Sequence, residues 1–290
     1  MATQSWSTRV RHDSDVFFRE WGSELSAKLT AAGLVQTADT GQINWVTVVR
    51  TGVNTDTGYE IYKLNDALVT SAPAFFRINY GTGSNSTGPR IRIQHGTSTD
   101  GAGVLGGTTS GTNAIGSFFS AANTDTARQS FLCVTEGFFG LYYKLGSVSI
   151  AEGLFLYSRT VDSTGTPTVT GAMVNWSQGV SSAMSGQSFR YAATAVAYTR
   201  RTVVSTLQMC LVPMVKASSI ANGFNQAYLC WTITPQVEPL NAICGVFDGE
   251  VPVGNTFTAT LVGTTPHTYI GLGIANIDVD SVVKPAMLWE

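Results

Sequence analysis

The chain is short of charge. Asp, Glu, Lys and Arg make up 12% of its 290 residues, half the share of about 25% in ordinary globular proteins. That excludes a coiled coil or a long solvated helix, which need abundant Glu, Lys and Arg. It also excludes a chain held open by its own charge. The net charge is −2 at neutral pH and the isoelectric point near 5.9. A nucleic-acid-binding domain carries a basic patch or an isoelectric point above about 9, so no nucleic-acid partner is expected. Long apolar runs are also missing. The most apolar-leaning stretch, residues 202–215, contains Pro213 and falls short of the roughly 20 residues of a membrane span. Charges at Arg9, Arg11, Asp13 and Asp15 replace the apolar core of a secretory signal. The expectation is a soluble protein made in a cytoplasm, with no membrane partner.

Residues that carry chemistry are scarce as well. There are four cysteines, Cys133, Cys210, Cys230 and Cys244, and three histidines, His12, His95 and His267. No two cysteines have Cys-x-x-Cys spacing, and each sits in an apolar run. They read as reduced, buried thiols rather than zinc ligands. No Gly-x-Ser-x-Gly elbow occurs. Asp278 with Asp280 and Glu20 with Glu24 could form carboxylate pairs, but read as a solvated strand edge and a solvated helix face. Gly101-Ala-Gly103-Val-Leu-Gly106 spells a dinucleotide-binding pattern. The Gly, Thr and Ser run after it cannot open the helix that a pyrophosphate needs, so it reads as a loop. No catalytic residue, cofactor or metal is assigned, and the chain is not expected to be an enzyme.

What is present is one amphipathic helix and much β pattern. Phe17, Trp21, Leu25 and Leu29 recur at four-residue spacing, with Phe18 and Ala32 widening the stripe. Asp13 or Ser14 can cap the start, and Gly33-Leu34 reads as a left-handed stop. A lone helix of this length is marginal in water, so the face Phe17, Phe18, Trp21, Leu25, Leu29 must pack on the chain's own sheet or on another subunit. Beyond residue 40 the chain reads as short strands and turns, with strands expected over 43–50, 59–64, 90–95, 131–135, 138–145, 154–159, 191–198, 202–212, 227–232, 256–262 and 282–289. Residues 81–114, dense in Gly, Ser and Thr, read as a long excursion loop around one strand.

The expected fold is therefore mainly β: an N-terminal arm and helix over 1–35, then a large antiparallel β-sandwich over 36–290, with a jelly-roll variant in view. Any sub-domain break would fall near 120–130. The doublets Phe75-Phe76, Phe118-Phe119, Phe138-Phe139 and Tyr142-Tyr143 place rings on both faces of a strand, which suits strands buried on both sides. Arg77, Arg90 and Arg92 lie in a stretch with no acid between residues 67 and 99. They are a candidate anion or glycan site, set against solvated strand faces. Soluble monomers usually carry more surface charge, and the low charge points to an assembly protein.

Three segments carry a resemblance. They are Phe18-Arg-Glu-Trp-Gly-Ser-Glu-Leu-Ser-Ala-Lys-Leu29 continuing into Gly33 to Trp45; Gly58-Tyr-Glu-Ile-Tyr-Lys-Leu-Asn-Asp66 with Ala72-Pro-Ala-Phe-Phe-Arg-Ile-Asn-Tyr-Gly-Thr-Gly83; and Gly263-Thr-Thr-Pro-His-Thr-Tyr269 through Met287-Leu-Trp-Glu290. Together they resemble virion structural proteins of tailed bacteriophages and prophages. The resemblance spans most of the chain and brings no active-site residues. It implies a tail, baseplate or fibre-associated component, synthesised in the host bacterial cytoplasm and located in the virion. Its expected partners are itself, as a trimer or sixfold ring, other virion proteins and a host surface glycan. A head decoration or neck protein is the structural alternative. A tail-tip module that binds or cleaves carbohydrate is the alternative of another class.

Overall fold

The computed structural model describes residues 2–8, 13–83, 89–107, 113–117, 127–144, 152–161, 164, 166–177, 190–195, 207–213, 224–231, 237–247, 251–259, 266–272 and 283–289. The chain is mainly β, with one helix and several antiparallel sheets. In chain order the elements are β1 (Thr3–Thr8), α1 (Asp15–Ala32), β2 (Val35–Gln36), β3 (Asp56–Lys63), β4 (Phe75–Thr82), β5 (Pro89–Gly96), β6 (Ser98–Thr99), β7 (Leu105–Gly106), β8 (Asn113–Ser117), β9 (Arg128–Thr135), β10 (Phe138–Lys144), β11 (Glu152–Val161), β12 (Pro167–Ser177), β13 (Arg190–Ala195), β14 (Leu207–Pro213), β15 (Phe224–Trp231), β16 (Val237–Phe247), β17 (Thr256–Ala259), β18 (His267–Gly271) and β19 (Val283–Leu288).

The helix begins where the sequence signals it. Ser14 is extended and its Oγ accepts from the Phe17 N–H at 3.2 Å. Asp15 adds a negative charge in the first turn. Gly33 ends the helix at φ 108°, with its N–H donating to Thr30 O and the Leu34 N–H to Leu29 O. That pair of bonds is a Schellman stop, which favours glycine because a Cβ is strained at this φ.

Two sheets share the main core. One runs β2-β3-β4-β5-β8, the other β1-β9-β10-β11-β12-β13. Both are meanders apart from β1, the N-terminal strand that pairs along β9. Side-chain alternation sends Tyr62, Phe76, Ile78, Tyr80, Ile91 and Ile93 from the first sheet against Leu132, Phe139, Leu141, Tyr143, Phe155 and Tyr157 from the second. The core thus draws on residues from both sides of position 120. The helix contributes Phe18, Trp21, Leu25, Leu29 and Ala32 to the same cluster.

Strands β9, β10 and β11 of the second sheet are buried on both faces along most of their length. Phe138 with Phe139 and Tyr142 with Tyr143 are all buried, as the paired aromatics imply. On the far face Phe131 stacks on Tyr142 and meets Trp289, and the Cys133 Sγ lies 3.2 Å from Trp289 O. A third sheet, β14-β15-β16-β19-β18-β17, carries that end of the chain. Its β16-to-β17 connection places β16 beside β19, a Greek-key return of the kind from which jelly rolls are built. Cys133 and Cys244 are free and buried, and burial pushes the Cys244 thiol up.

Two expectations are corrected. Residues 43–50 are not a strand. Asn44 builds a turn, accepting from Val46 N at its side chain and from Thr47 N and Val48 N at its carbonyl. That turn sends Ile43, Trp45 and Val48 inward and leaves Val46 and Val49 exposed. Nor is 81–114 a long loop: β5 pairs with both β4 and β8. The chain of 98–106 folds back as the β6–β7 hairpin, whose Gly106 and Leu105 lie so near Gly96 that a Cβ there would come within 2.9 Å of both. Gly103 and Gly106 likewise serve close approach, to Tyr59 and Ser98. Strand β4, which the Phe75-Phe76 doublet marked only at its start, is central in its sheet.

Candidate functional site

Of the two surfaces open to the apolar helix face, the chain's own sheets or another subunit, it packs on the chain's own sheets. Phe18, Leu25 and Leu29 are fully buried and Trp21 is 2% exposed, while Phe17 sits half-buried at the flank. Trp21 meets Tyr80 and Tyr143 edge-on. Below the helix lies a buried carboxylate. Glu60 accepts from Ser26 Oγ and Trp45 Nε1 at one oxygen (2.7 and 3.1 Å), and from the Tyr62 and Tyr80 hydroxyls at the other (3.0 and 2.6 Å). Burial, and then the Glu60 charge, hold both phenols well above their usual range. This network ties helix, Asn44 turn and sheet together.

The arginine trio separates. The register sets Asp56 opposite Gly81 and Gly81 opposite Arg90. The Asp56 carboxylate therefore pairs with Arg90 at 2.7 Å and with Arg92. Arg77 points elsewhere, with Nη1 donating to Gly103 O at 2.8 Å and its guanidinium 4.1 Å above the Tyr59 ring. The acid missing from residues 67–99 is supplied by β3, two strands away.

Arg77 leads to a cleft on the outer face of the first sheet. The segment 37–42 and the turn 99–104 meet there. Thr40 N and Oγ1 donate to Gly101 O, and the Tyr59 hydroxyl donates to Thr40 O at 2.7 Å. Gly103 has φ 99°, and a Cβ there would sit 2.1 Å from the Tyr59 hydroxyl oxygen. At the junction Asp39, 7% exposed, accepts from Thr37 Oγ1 at 2.5 Å, from Thr99 Oγ1 and from the Gly103 N–H at 3.2 Å. Burial opposes ionisation of Asp39, but these hydrogen bonds outweigh it and hold the carboxyl below its usual range. The cleft has a volume of about 410 Å³, and its lining includes Thr37, Asp39, Lys63, Phe75 and Thr99. Nothing local in the sequence marks these residues; Asp39 and Thr99 are 60 positions apart.

A second charged group is sealed inside. Arg159 donates to Asp66 from Nε at 2.5 Å and Nη2 at 3.2 Å, and from Nη2 to Ala72 O at 2.8 Å. His95 stacks on Tyr157 beside it, with ring centroids 4.8 Å apart. Burial, reinforced by Arg159, pushes the imidazole down to about 3. The side chains of the cluster are nearly sealed from solvent, which gives it the character of a structural latch. His267 opens β18, half-buried. His12, Phe118, Phe119, Asp278 and Asp280 lie outside the described residues.

Among the described residues no three His, Cys, Asp or Glu side chains group to hold a metal, and no helix is long and apolar enough to cross a membrane. No family model, curated protein or solved structure matches the chain.

Proposed function

We propose that the chain is a structural component of a tailed-phage virion, in the tail, baseplate or fibre region, that assembles with itself through protein–protein contacts. One observation supports assembly above the rest. Val46, Val49 and Val16 are 80%, 61% and 56% exposed. They lie on adjoining segments: Arg19 Nε donates to Val48 O and the Arg50 N–H to Asp15 Oδ1. Large contiguous exposed apolar patches mark interaction surfaces. The resemblance of the three sequence segments supports the virion assignment.

The test is light scattering after size exclusion, on the native chain and on Val46→Asp with Val49→Asp. The native protein should run as a multiple of 30.8 kDa. The double variant should dissociate yet melt at nearly the same temperature, because exposed substitutions change stability within about 0.5 kcal/mol. A native monomer, or a variant that still assembles, would reject the surface. Antibody labelling of intact virions then separates tail or baseplate from the head-decoration and neck alternative.

A further inference from the structure

The outer cleft of the first sheet has the chemistry of a binding site that the assembly reading does not use. The register aligns Val35, Lys63, Phe75 and Gly96 in one row across β2, β3, β4 and β5. Neighbours in such a row share a face. Lys63 therefore stands between a half-exposed valine and a half-buried phenylalanine, and among the described residues its ammonium has no carboxylate within ion-pair distance. Across the cleft the Thr37 and Thr99 hydroxyls both donate to Asp39; the Thr99 oxygen also accepts from the Gly101 N–H, and each hydroxyl oxygen keeps lone-pair capacity for a donor. Asp39 Oδ2 accepts the Thr37 bond and has lone-pair capacity left. The volume of about 410 Å³ lies within the roughly 300–1,000 Å³ of small-molecule sites.

The occupant must match this pattern. It needs a carboxylate for Lys63, several hydroxyl donors for Thr37, Thr99 and Asp39, and an apolar C–H face for Phe75 and Val35. A neutral polyol would leave Lys63 unanswered. A simple anion would leave the acceptor wall unmatched and would face the Asp39 charge. We propose that the cleft binds a carboxylated saccharide, a uronic-acid unit of an acidic polysaccharide. The site is preorganised, because the bonds of Asp39, Arg77 and Tyr59 already fix the turn 99–104 without a ligand. The proposal does not depend on the assembly surface, which lies on α1 and the Asn44 turn.

The test is calorimetric titration of the full chain with oligomers of galacturonate, glucuronate and mannuronate, beside neutral galactose oligomers of the same length. At least one acidic series should bind, the neutral series at least about tenfold more weakly, and added salt should weaken binding. Lys63→Gln should lower the affinity by about tenfold or more, the usual weight of a charged hydrogen bond. Phe75→Leu, which keeps an apolar side chain in the cleft wall but removes the ring, should lower it as well. Lys28→Gln, on the helix, should bind like the native protein. Melting curves confirm that each variant is folded. No heat with any acidic oligomer, equal binding of the neutral series, or unchanged affinity in Lys63→Gln would overturn the proposal.

Discussion

The buried Asp66–Arg159 pair offers the sharpest test of how the two core sheets are held together. The side chains are 0% and 1% exposed, and the geometry is bidentate. Asp66 also accepts from the Leu68 N–H, and Arg159 reaches Ala72 O, so the pair pins the turn after β3 onto β11. Replacing Asp66 by Asn keeps the shape but strands a guanidinium in an interior that already holds His95. Breaking a buried pair from one side costs about 3–5 kcal/mol, because the remaining charge is uncompensated. Asp15 and Arg50 form a contrasting pair at 3.5 Å whose side chains are 38% and 26% exposed. Exposed pairs contribute only about 0–1 kcal/mol. Urea unfolding of Asp66→Asn, Arg159→Met, the double variant Asp66→Leu with Arg159→Met, and Asp15→Asn would measure this. Each single change in the buried pair should cost about 3–5 kcal/mol, and Asp15→Asn under about 1 kcal/mol. The double variant should cost much less than the sum of the singles, because no charge is left stranded. If Asp66→Asn unfolds like Asp15→Asn, or the single costs simply add, the pair is not buried as described.

Two further outcomes follow from the same core. Trp21→Ala should cost about 3–5 kcal/mol by urea unfolding of the isolated protein, because the helix packs on its own sheets. Trp21→Phe should cost much less, since the indole N–H is buried with no acceptor among the described residues; an isolated Trp21→Ala protein that unfolds like the native one would refute the packing. His95 should confer acid sensitivity. Its folded pKa of about 3 lies below the unfolded value of 6.5, so the unfolded chain binds the proton more readily. The contribution of neutral His95 is fully present above about pH 6.5 and falls by about 1.4 kcal/mol per pH unit toward pH 3. The native-minus-His95→Gln stability difference should shrink over that range, and a pH-independent difference would refute the assignment.

The legible part of the fold was local. Helix α1 was readable to its caps because an amphipathic stripe, Ser14 and Gly33 all act within a few residues of one another. Strands β3, β5, β9, β10 and β11 were readable from alternation and β-branched or aromatic content. The doublets at 138–139 and 142–143 announced a strand buried on both faces. Residues 43–50 misled because Ile43, Trp45 and Val48 have strand-like composition, while the turn that Asn44 builds depends on hydrogen bonds that composition does not encode.

The candidate site was illegible for a different reason. The amino-acid sequence by itself determined the mainly β class, the helix and its ends, and the low charge. Tertiary structure alone decided which charges meet. Asp56 reaches Arg90 and Arg92 across an intervening strand, Asp39 reaches Thr99 and Gly103 across 60 and 64 positions, and Lys63 falls between Val35 and Phe75 by register. Helix caps and alternation arise from bonds within a few residues, whereas a cross-strand neighbour is set by pairing. A register shift of a single residue in β3 would send Asp56 and Lys63 to the opposite face.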